Sequence, residues 1–198
     1  MAAVFPATSM PDRDWWAALW PSPADVLHRI GITPDMTVLD PCCGDGYFTA
    51  PLAKIVGGKI YALDLDPAMI ALAKVEVARQ DTTVLKWICA DAQSAAQHLS
   101  EPVDYILMAN TFHGVPGQSG LARAVREVLR PSGLFGVVNW HPIPREQTIV
   151  LGKPRGPKTE MRMSVENVRT VVEPAGFRFM QSVNLLPFHY GAIFQRSA

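Results

Sequence analysis

Five short stretches of the chain set ligand-binding or proton-handling side chains at regular intervals. The first is Asp40-Pro41-Cys42-Cys43-Gly44-Asp45-Gly46-Tyr47. Two glycines in a turn that opens a helix allow a ligand to approach the backbone and expose helix-start N–H groups. Two carboxylates flank that turn, Asp40 and Asp45; they repel a pyrophosphate and suit a ligand carrying positive charge. The dinucleotide pattern G-x-G-x-x-G is also incomplete, because Thr49 stands where its third glycine would be. An NAD-dependent oxidoreductase is therefore disfavoured. The second stretch ends at Asp64, where a carboxylate can accept both hydroxyls of a ribose. The third, Asp91-Ala92, is placed to meet an adenine edge. The fourth and fifth carry histidines, His113 in NTFHG and His141 in NWHP. A neutral imidazole at either position can take a proton from an acceptor O–H, N–H or S–H. The plainer alternative is that each lines a pocket or bonds to backbone.

These residues need elements to hold them. TVLD (37–40), KIYALDL (59–65), TVLKWICA (83–90), VDYILMAN (103–110) and LFGVVNW (134–140) read as strands. Helices are expected from about 23 to 30 with Ser22 as cap, from about Tyr47 to Val56, and from Pro67 to about Gln80. Two more are expected from 120 to 129 and from a Ser164 cap to about Ala175. Asp66 reads as the N-cap before Pro67 rather than as a ligand. FRFMQSVNL and HYGAIFQR close the chain as two strands joined at Leu186–Pro187. Strands apolar on both faces, alternating with helices, predict an α/β fold. It is a Rossmann-like, doubly wound, mostly parallel seven-stranded sheet with a C-terminal antiparallel hairpin and N-terminal helices. Ligands in such a sheet sit at the C-terminal strand ends near the switch point, and all five stretches fall there. The expected organisation is an N-terminal arm and helices over 1–30, with 1–11 loose, and a single catalytic domain over 31–198.

VLDPCCGDGYF, ALDLDPAMI, CADAQ and VLRPSGLFGVVNW, in that order, resemble the class I S-adenosylmethionine-dependent methyltransferases. The small-molecule group that includes the ubiquinone- and menaquinone-biosynthesis enzymes is the nearest type, and the resemblance covers roughly residues 36–140. It implies S-adenosylmethionine as cofactor. Asp40 and the Gly44–Gly46 turn, with Cys42, would hold its amino-acid part, and Asp64 its ribose. Leu65 would pack on the adenine, Asp91 and Ala92 would meet the adenine edge, and Asn110 would lie beside the methionine moiety. One departure is Cys42, where the family usually has glycine. Methyl transfer in this family is direct in-line displacement and needs no enzyme nucleophile, so Cys42 and Cys43 read as packing in a tight turn. A thiol-bound metalloid acceptor is the alternative.

Composition narrows the remaining classes. The 198 residues carry equal numbers of basic and acidic side chains, 18 each, which excludes a protein basic all over. The balance hides a split: residues 1–120 hold 7 Lys and Arg against 13 Asp and Glu, residues 121–198 hold 11 against 5. An acidic front half suits a cofactor bearing a sulfonium and an ammonium. Three cysteines, two of them adjacent, make no disulfide framework, Cys89 reads as core strand, and no metal set is apparent. With no signal peptide and no apolar span, a cytoplasmic protein with no membrane association is expected. His189 and Tyr190 read as structural. Trp15, Trp16 and Trp20 read either as a docked helix or as a docked helix that also forms a lid.

Residues 142–162 form a long proline-punctuated connection with Arg145, Lys153, Arg155, Lys158 and Arg162 against Glu146 and Glu160. It is either a solvated loop or an anion-recognising flap. The expected activity is methyl transfer to a small-molecule acceptor, which the flap would favour if anionic. The rivals are an RNA or protein methyltransferase using that loop and a non-catalytic nucleotide-binding module. Against nucleic acid, no Asn/Asp-Pro-Pro-aromatic motif follows the fourth strand, where Asn110-Thr111-Phe112-His113 stands.

Overall fold

A computed structural model describes residues 11–197. The expected loose arm over 1–11 therefore lies, but for Pro11, outside the described residues. In chain order the elements are α1 (Arg13–Leu19), α2 (Pro23–Arg29), β1 (Val38–Pro41), α3 (Thr49–Ile55), β2 (Ile60–Asp64), α4 (Pro67–Arg79), β3 (Lys86–Cys89) and β4 (Val103–Ala109). There follow α5 (Gln118–Val128), β5 (Leu129–Trp140), the two-residue strands β6 (Ile149–Val150) and β7 (Lys153–Pro154), α6 (Val165–Val172), β8 (Phe177–Leu185) and β9 (His189–Arg196).

Seven strands form one sheet in the order β3-β2-β1-β4-β5-β9-β8. The first five run parallel and β9 runs antiparallel to both its neighbours, β5 and β8, so that β8 points the same way as the first five; the C-terminal pair is the antiparallel hairpin that the sequence predicts. From β1 the chain winds outward to β2 and β3, then returns to β4 on the other side. The switch point, where neighbouring connections diverge, is thus the crevice between β1 and β4.

Period-two alternation sorts the strand side chains between two apolar layers. Leu39, Ile106, Met108, Phe135, Val137, Ala192 and Phe194 face one layer with α5 and α6 residues. Val38, Tyr105, Leu107, Val138, Trp140 and Ile193 face the other, with Trp15, Trp16 and Trp20, Leu27 of α2 and Leu52 of α3. A buried Leu, Ile or Phe contributes about 1.5–3 kcal/mol, so a strand buried on both faces is fixed in register by its neighbours. The tryptophans of the N-terminal segment are part of this core: Trp20 is 1% exposed and its carbonyl accepts from the Tyr47 hydroxyl at 2.7 Å. Among the described residues no helix is long and apolar enough to cross a membrane.

Three local expectations change. The helix after β1 begins at Thr49, not Tyr47, because Gly44–Phe48 are spent in the turn. The fifth strand begins at Leu129, not Leu134: Leu129 pairs with Val103 before a register shift, and Ser132 takes φ 63° within it. Cys89 is exposed rather than core, because β3 is a sheet edge with only its Ile88 side chain buried. By contrast Asp66 caps α4 as read, its Oδ1 accepting from Ala68 N at 2.8 Å.

Candidate active site

The ends of β1, β2, β3 and β4, with α1 and the loop after β5, enclose a cavity of about 1020 Å³. At the end of β1, Asp40 is buried and its Oδ2 accepts from the Thr49 hydroxyl at 2.7 Å. Burial pushes its carboxyl up to about 7, the Thr49 hydrogen bond opposing and the neighbouring Asp64 charge assisting. The turn that follows is wired to β2: the N–H groups of Cys42 and Cys43 both donate to Leu63 O, at 2.7 and 2.9 Å. Gly44 N donates to Asp64 Oδ2 at 2.9 Å, while Asp66 N donates to Asp64 Oδ1 at 2.9 Å. Asp64 is thereby aimed by two backbone bonds, and each of its oxygens keeps a lone pair. These turn N–H groups are used within the protein, so what the turn offers a ligand is carboxylate and surface rather than free donors.

Cys42 takes φ +73°. Where the resembling family has glycine, this chain keeps the left-handed backbone with a side chain on it, at a cost of about 1 kcal/mol or more. Burial drives both Cys42 and Cys43 thiols well above their usual range, with Asp64 and Asp40 adding to it, which favours the neutral thiol over the thiolate. Gly46 does not border the cavity. At φ +84° a Cβ there would meet Ala73 Cα at 2.8 Å, so this glycine lets the turn lie against α4.

Asp64, Leu65, Asp91, Ala92, Asn110 and His113 border the same cavity as Asp40, Cys42 and Gly44. Asp91 also caps the 3-10 turn after β3, its Oδ1 accepting from Gln93 N at 2.8 Å. Asn110 sits at φ 60° beyond β4, and both polar atoms of its buried amide lack a partner. His113 lies in the 3-10 turn Phe112–Gly114, 9% exposed, with Nδ1 3.2 Å from Asn139 Oδ1 and Nε2 without a partner. Burial lowers its pKa, the Asn139 bond opposing and the Arg162 charge assisting, so the ring is neutral near pH 7. His141 is placed elsewhere: its Nε2 is 3.0 Å from Asn184 Oδ1 on β8 and its N–H donates to Phe188 O, and it does not border the cavity. His189 is fully buried between Trp20 and Trp140, ring centroids 4.3 and 4.1 Å away.

The far wall comes from Trp15 and Trp16 of α1, Trp140 of β5, and Arg145, Arg155, Gly156, Pro157 and Lys158. The loop 142–162 is not a loose solvated strand. Arg162, 6% exposed, donates to Pro157 O, Ile143 O, Arg155 O and Thr148 Oγ1 over 3.0–3.2 Å, and its guanidinium lies 5.0 Å from the Trp140 ring centroid. The β6–β7 hairpin and two 3-10 turns complete the fold of this segment. Arg155 stacks on Trp15 at 5.0 Å. Among the described residues no carboxylate pairs with Arg145, Arg155 or Arg162. Sequence reasoning had the loop's charge but not its hub. It also passed over Thr49 and Asn139; only the short spacing from Asp40 to a helix-start hydroxyl could have pointed to Thr49.

Comparison with known proteins gives a concordant picture. The family described as methyltransferase domain matches residues 38–133. A sterol 24-C-methyltransferase of Gibberella zeae is 27% identical over 116 residues, 58% of this chain and 30% of the relative. A demethylmenaquinone methyltransferase of Geobacillus stearothermophilus is 27% identical over 112 residues, 56% of this chain and 47% of the relative. The chain thus spans less than half the length of these curated relatives. Over nearly the whole chain, it superposes on a SAM dependent methyltransferase from Aquifex aeolicus with a TM-score of 0.74, 26% identity and 93% coverage of both chains. With the β1 turn, the strand-end carboxylates and the sheet order, these likenesses make the chain similar, in its sheet and strand ends, to the S-adenosylmethionine-dependent methyltransferases.

Proposed function

We propose that the protein transfers a methyl group from S-adenosylmethionine to a small-molecule acceptor bearing an anionic group. The observation that carries this reading is the opposition of charge across one cavity. On the β1–β2–β3 side it is bordered by Asp40, Asp45, Asp64, Asp66 and Asp91; on the β5 side its charged side chains are Arg145, Arg155 and Lys158, with Asp12 before α1 a further carboxylate in the lining. The donor set fits the cofactor. A cluster of short carboxylates with an unpartnered Asn110 amide beside it suits a group that is both cationic and rich in hydrogen-bonding atoms. Asp64 would take the ribose hydroxyls, Asp40 with the Cys42–Gly46 turn the amino-acid part, Leu65 the adenine face, and Asp91 and Ala92 its edge. Asn110 would sit beside the methionine moiety. When bound, S-adenosylmethionine supplies an electrophilic methyl on a sulfonium.

The chain's own residues then bind, orient and exclude water. Trp15 and Trp16 close the acceptor side as a lid that is docked into the core. Arg155 and Lys158 hold the anionic group. His113 accepts the acceptor's proton. Cations that line a cavity rather than form an open face favour a small acceptor over a polymer. His141, tied to Asn184, is left with a structural role.

Calorimetry on Asp64→Ala tests the cofactor assignment. Losing two charge-assisted hydrogen bonds weakens S-adenosylmethionine binding roughly 100- to 1000-fold, with circular dichroism checking that the fold survives; unchanged affinity removes Asp64 from the site. For the acceptor, turnover is compared over paired anionic and neutral small molecules with Arg155→Gln. A preference for anions that vanishes in the variant supports the reading, and equal use of both overturns the anionic part.

A further inference from the structure

Asn139 lies on β5, fully buried, with its Oδ1 3.2 Å from His113 Nδ1. Its register partner across the β5–β9 pair is Tyr190. The Tyr190 hydroxyl donates its proton to Met163 O at 2.7 Å, so toward Asn139 it can only accept. Cross-strand pairing sets the Tyr190 and Asn139 side chains next to each other on one face of the sheet, and Asn139 Nδ2 is buried without a hydrogen-bond partner. The reverse amide orientation would set Oδ1 against an oxygen whose proton is already committed. The amide is therefore held with nitrogen toward Tyr190 and oxygen toward His113, and an accepting oxygen at Nδ1 requires a proton there.

We propose that Asn139, oriented by Tyr190, is a positioning residue that holds His113 as the Nδ1–H tautomer and reserves the Nε2 lone pair for the acceptor's proton. The proposal rests on His113 as the proton acceptor. In the step it serves, a lone pair of the acceptor atom X (O, N or S) forms the X–CH3 bond and the electron pair of the broken S–CH3 bond stays on sulfur. The X–H proton passes to Nε2, leaving a neutral thioether and an imidazolium whose Nδ1–H remains bonded to Asn139. Arg162 and His189 are charged or titratable groups that act on the ring, and among the described residues no carboxylate is hydrogen-bonded to it. An amide can fix the tautomer there without adding a buried charge.

Long-range 1H–15N spectra of the full chain, with no cofactor or acceptor added, read the tautomer directly. In the wild type a neutral His113 is expected to carry its proton on Nδ1. Tyr190→Phe keeps the ring in the core but frees the amide to turn, and is expected to give a tautomer mixture. Asn139→Leu gives a mixture or the Nε2–H form. Turnover is expected to fall roughly tenfold or more in Asn139→Leu, with the acceptor KM little changed. Asn139→Asp restores the Nδ1–H tautomer and moves the acid limb of the pH profile upward, since a carboxylate stabilises the imidazolium. An Nε2-protonated ring in the wild type, or an unaltered tautomer in both Asn139→Leu and Tyr190→Phe, overturns the assignment whatever turnover shows. The expected tautomers with undiminished turnover in His113→Ala overturn the general-base reading instead.

Discussion

At the β1–β2–β3 end, the cavity wall is backbone and short carboxylates at or just past the ends of parallel strands, fixed by hydrogen bonds between adjacent strand ends. Leu63 O receives two turn N–H groups and Asp64 receives two more. At the β5 end the wall is made of long side chains carried by a loop of 21 residues, 142–162, and that loop is knitted by one buried cation, Arg162. The first end is prearranged by the sheet itself. The second leans on one buried guanidinium with four acceptors, beside the β6–β7 hairpin and the Arg145 and Thr148 hydrogen bonds, and with no carboxylate paired to that guanidinium among the described residues. An architecture of this kind can change its acceptor chemistry by altering the loop while leaving the cofactor end untouched.

The sharpest way to break the two ends apart is Arg162→Met. The long apolar chain keeps contact with Trp140 but leaves the carbonyls of Ile143 and Pro157 without their side-chain donor, while the Arg155 carbonyl retains only the Thr148 hydroxyl. That costs about 3 kcal/mol in local stability. The expected result is early hydrogen exchange confined to 142–162, a drop of roughly 100-fold in kcat/KM for the acceptor, and S-adenosylmethionine affinity within about twofold of wild type. Loss of cofactor affinity to the same extent would mean the two ends are one unit.

How far each end is legible in the sequence follows the same division. Asp40, Asp64 and Asp91 could be placed on one cavity because parallel strands are local apolar runs and their ends open to the same side. The same logic placed Asn110 and His113. It misplaced His141, because the direction of a side chain leaving β5 is set by β8 and β9, paired from more than 40 residues away in the chain. It could not see Asn139 as a partner of His113, because the two lie 26 residues apart on different elements. Cys89 failed differently: an apolar run reads alike in a central strand and at an edge, and only the strand order shows that β3 has a neighbour on one side. Cys42 is instructive in the opposite sense. Its side chain departs from the expected glycine, yet the backbone keeps the conformation that the turn demands.

A smaller effect sharpens the account of the cofactor end. Asp40 is held near pKa 7 by burial beside Asp64, so below that pH it must lose a proton before its carboxylate can meet a cation. Affinity for S-adenosylmethionine is therefore expected to tighten from pH 5.5 toward 7 by up to about tenfold per unit and then level off. The stability sign is the reverse. With the native pKa raised above the unfolded value near 3.8, the native state holds the extra proton, and stability falls as pH rises from about 4 to 7. Asp40→Asn, which keeps an oxygen for Thr49, is expected to flatten both slopes in calorimetry and in thermal melts. A slope that persists in the variant moves the titration to another group.

The smallest effect belongs to the seam between the ends. Arg13 on α1 reaches Asp45 at 3.1 Å and Glu76 at 2.7 Å, and its guanidinium lies 5.1 Å from the Tyr47 ring centroid. Glu76 is the better anchored partner. Burial works against its charge, but hydrogen bonds from Arg79 and Gln80 and the charges of Arg13 and Arg79 hold it down at about 2. Arg13 itself keeps 45% of its side chain exposed, so the pair is screened by water and salt. Arg13→Gln is accordingly expected to lower stability by less than about 1 kcal/mol, and by less again in high salt. What holds α1 in place is the burial of Trp15, Trp16 and Leu19. If the variant instead loses several kcal/mol, or if its acceptor KM rises severalfold at low salt and recovers at high salt, the ion pairs rather than the tryptophans set the position of α1. The lid would then be governed from the acidic end of the cavity.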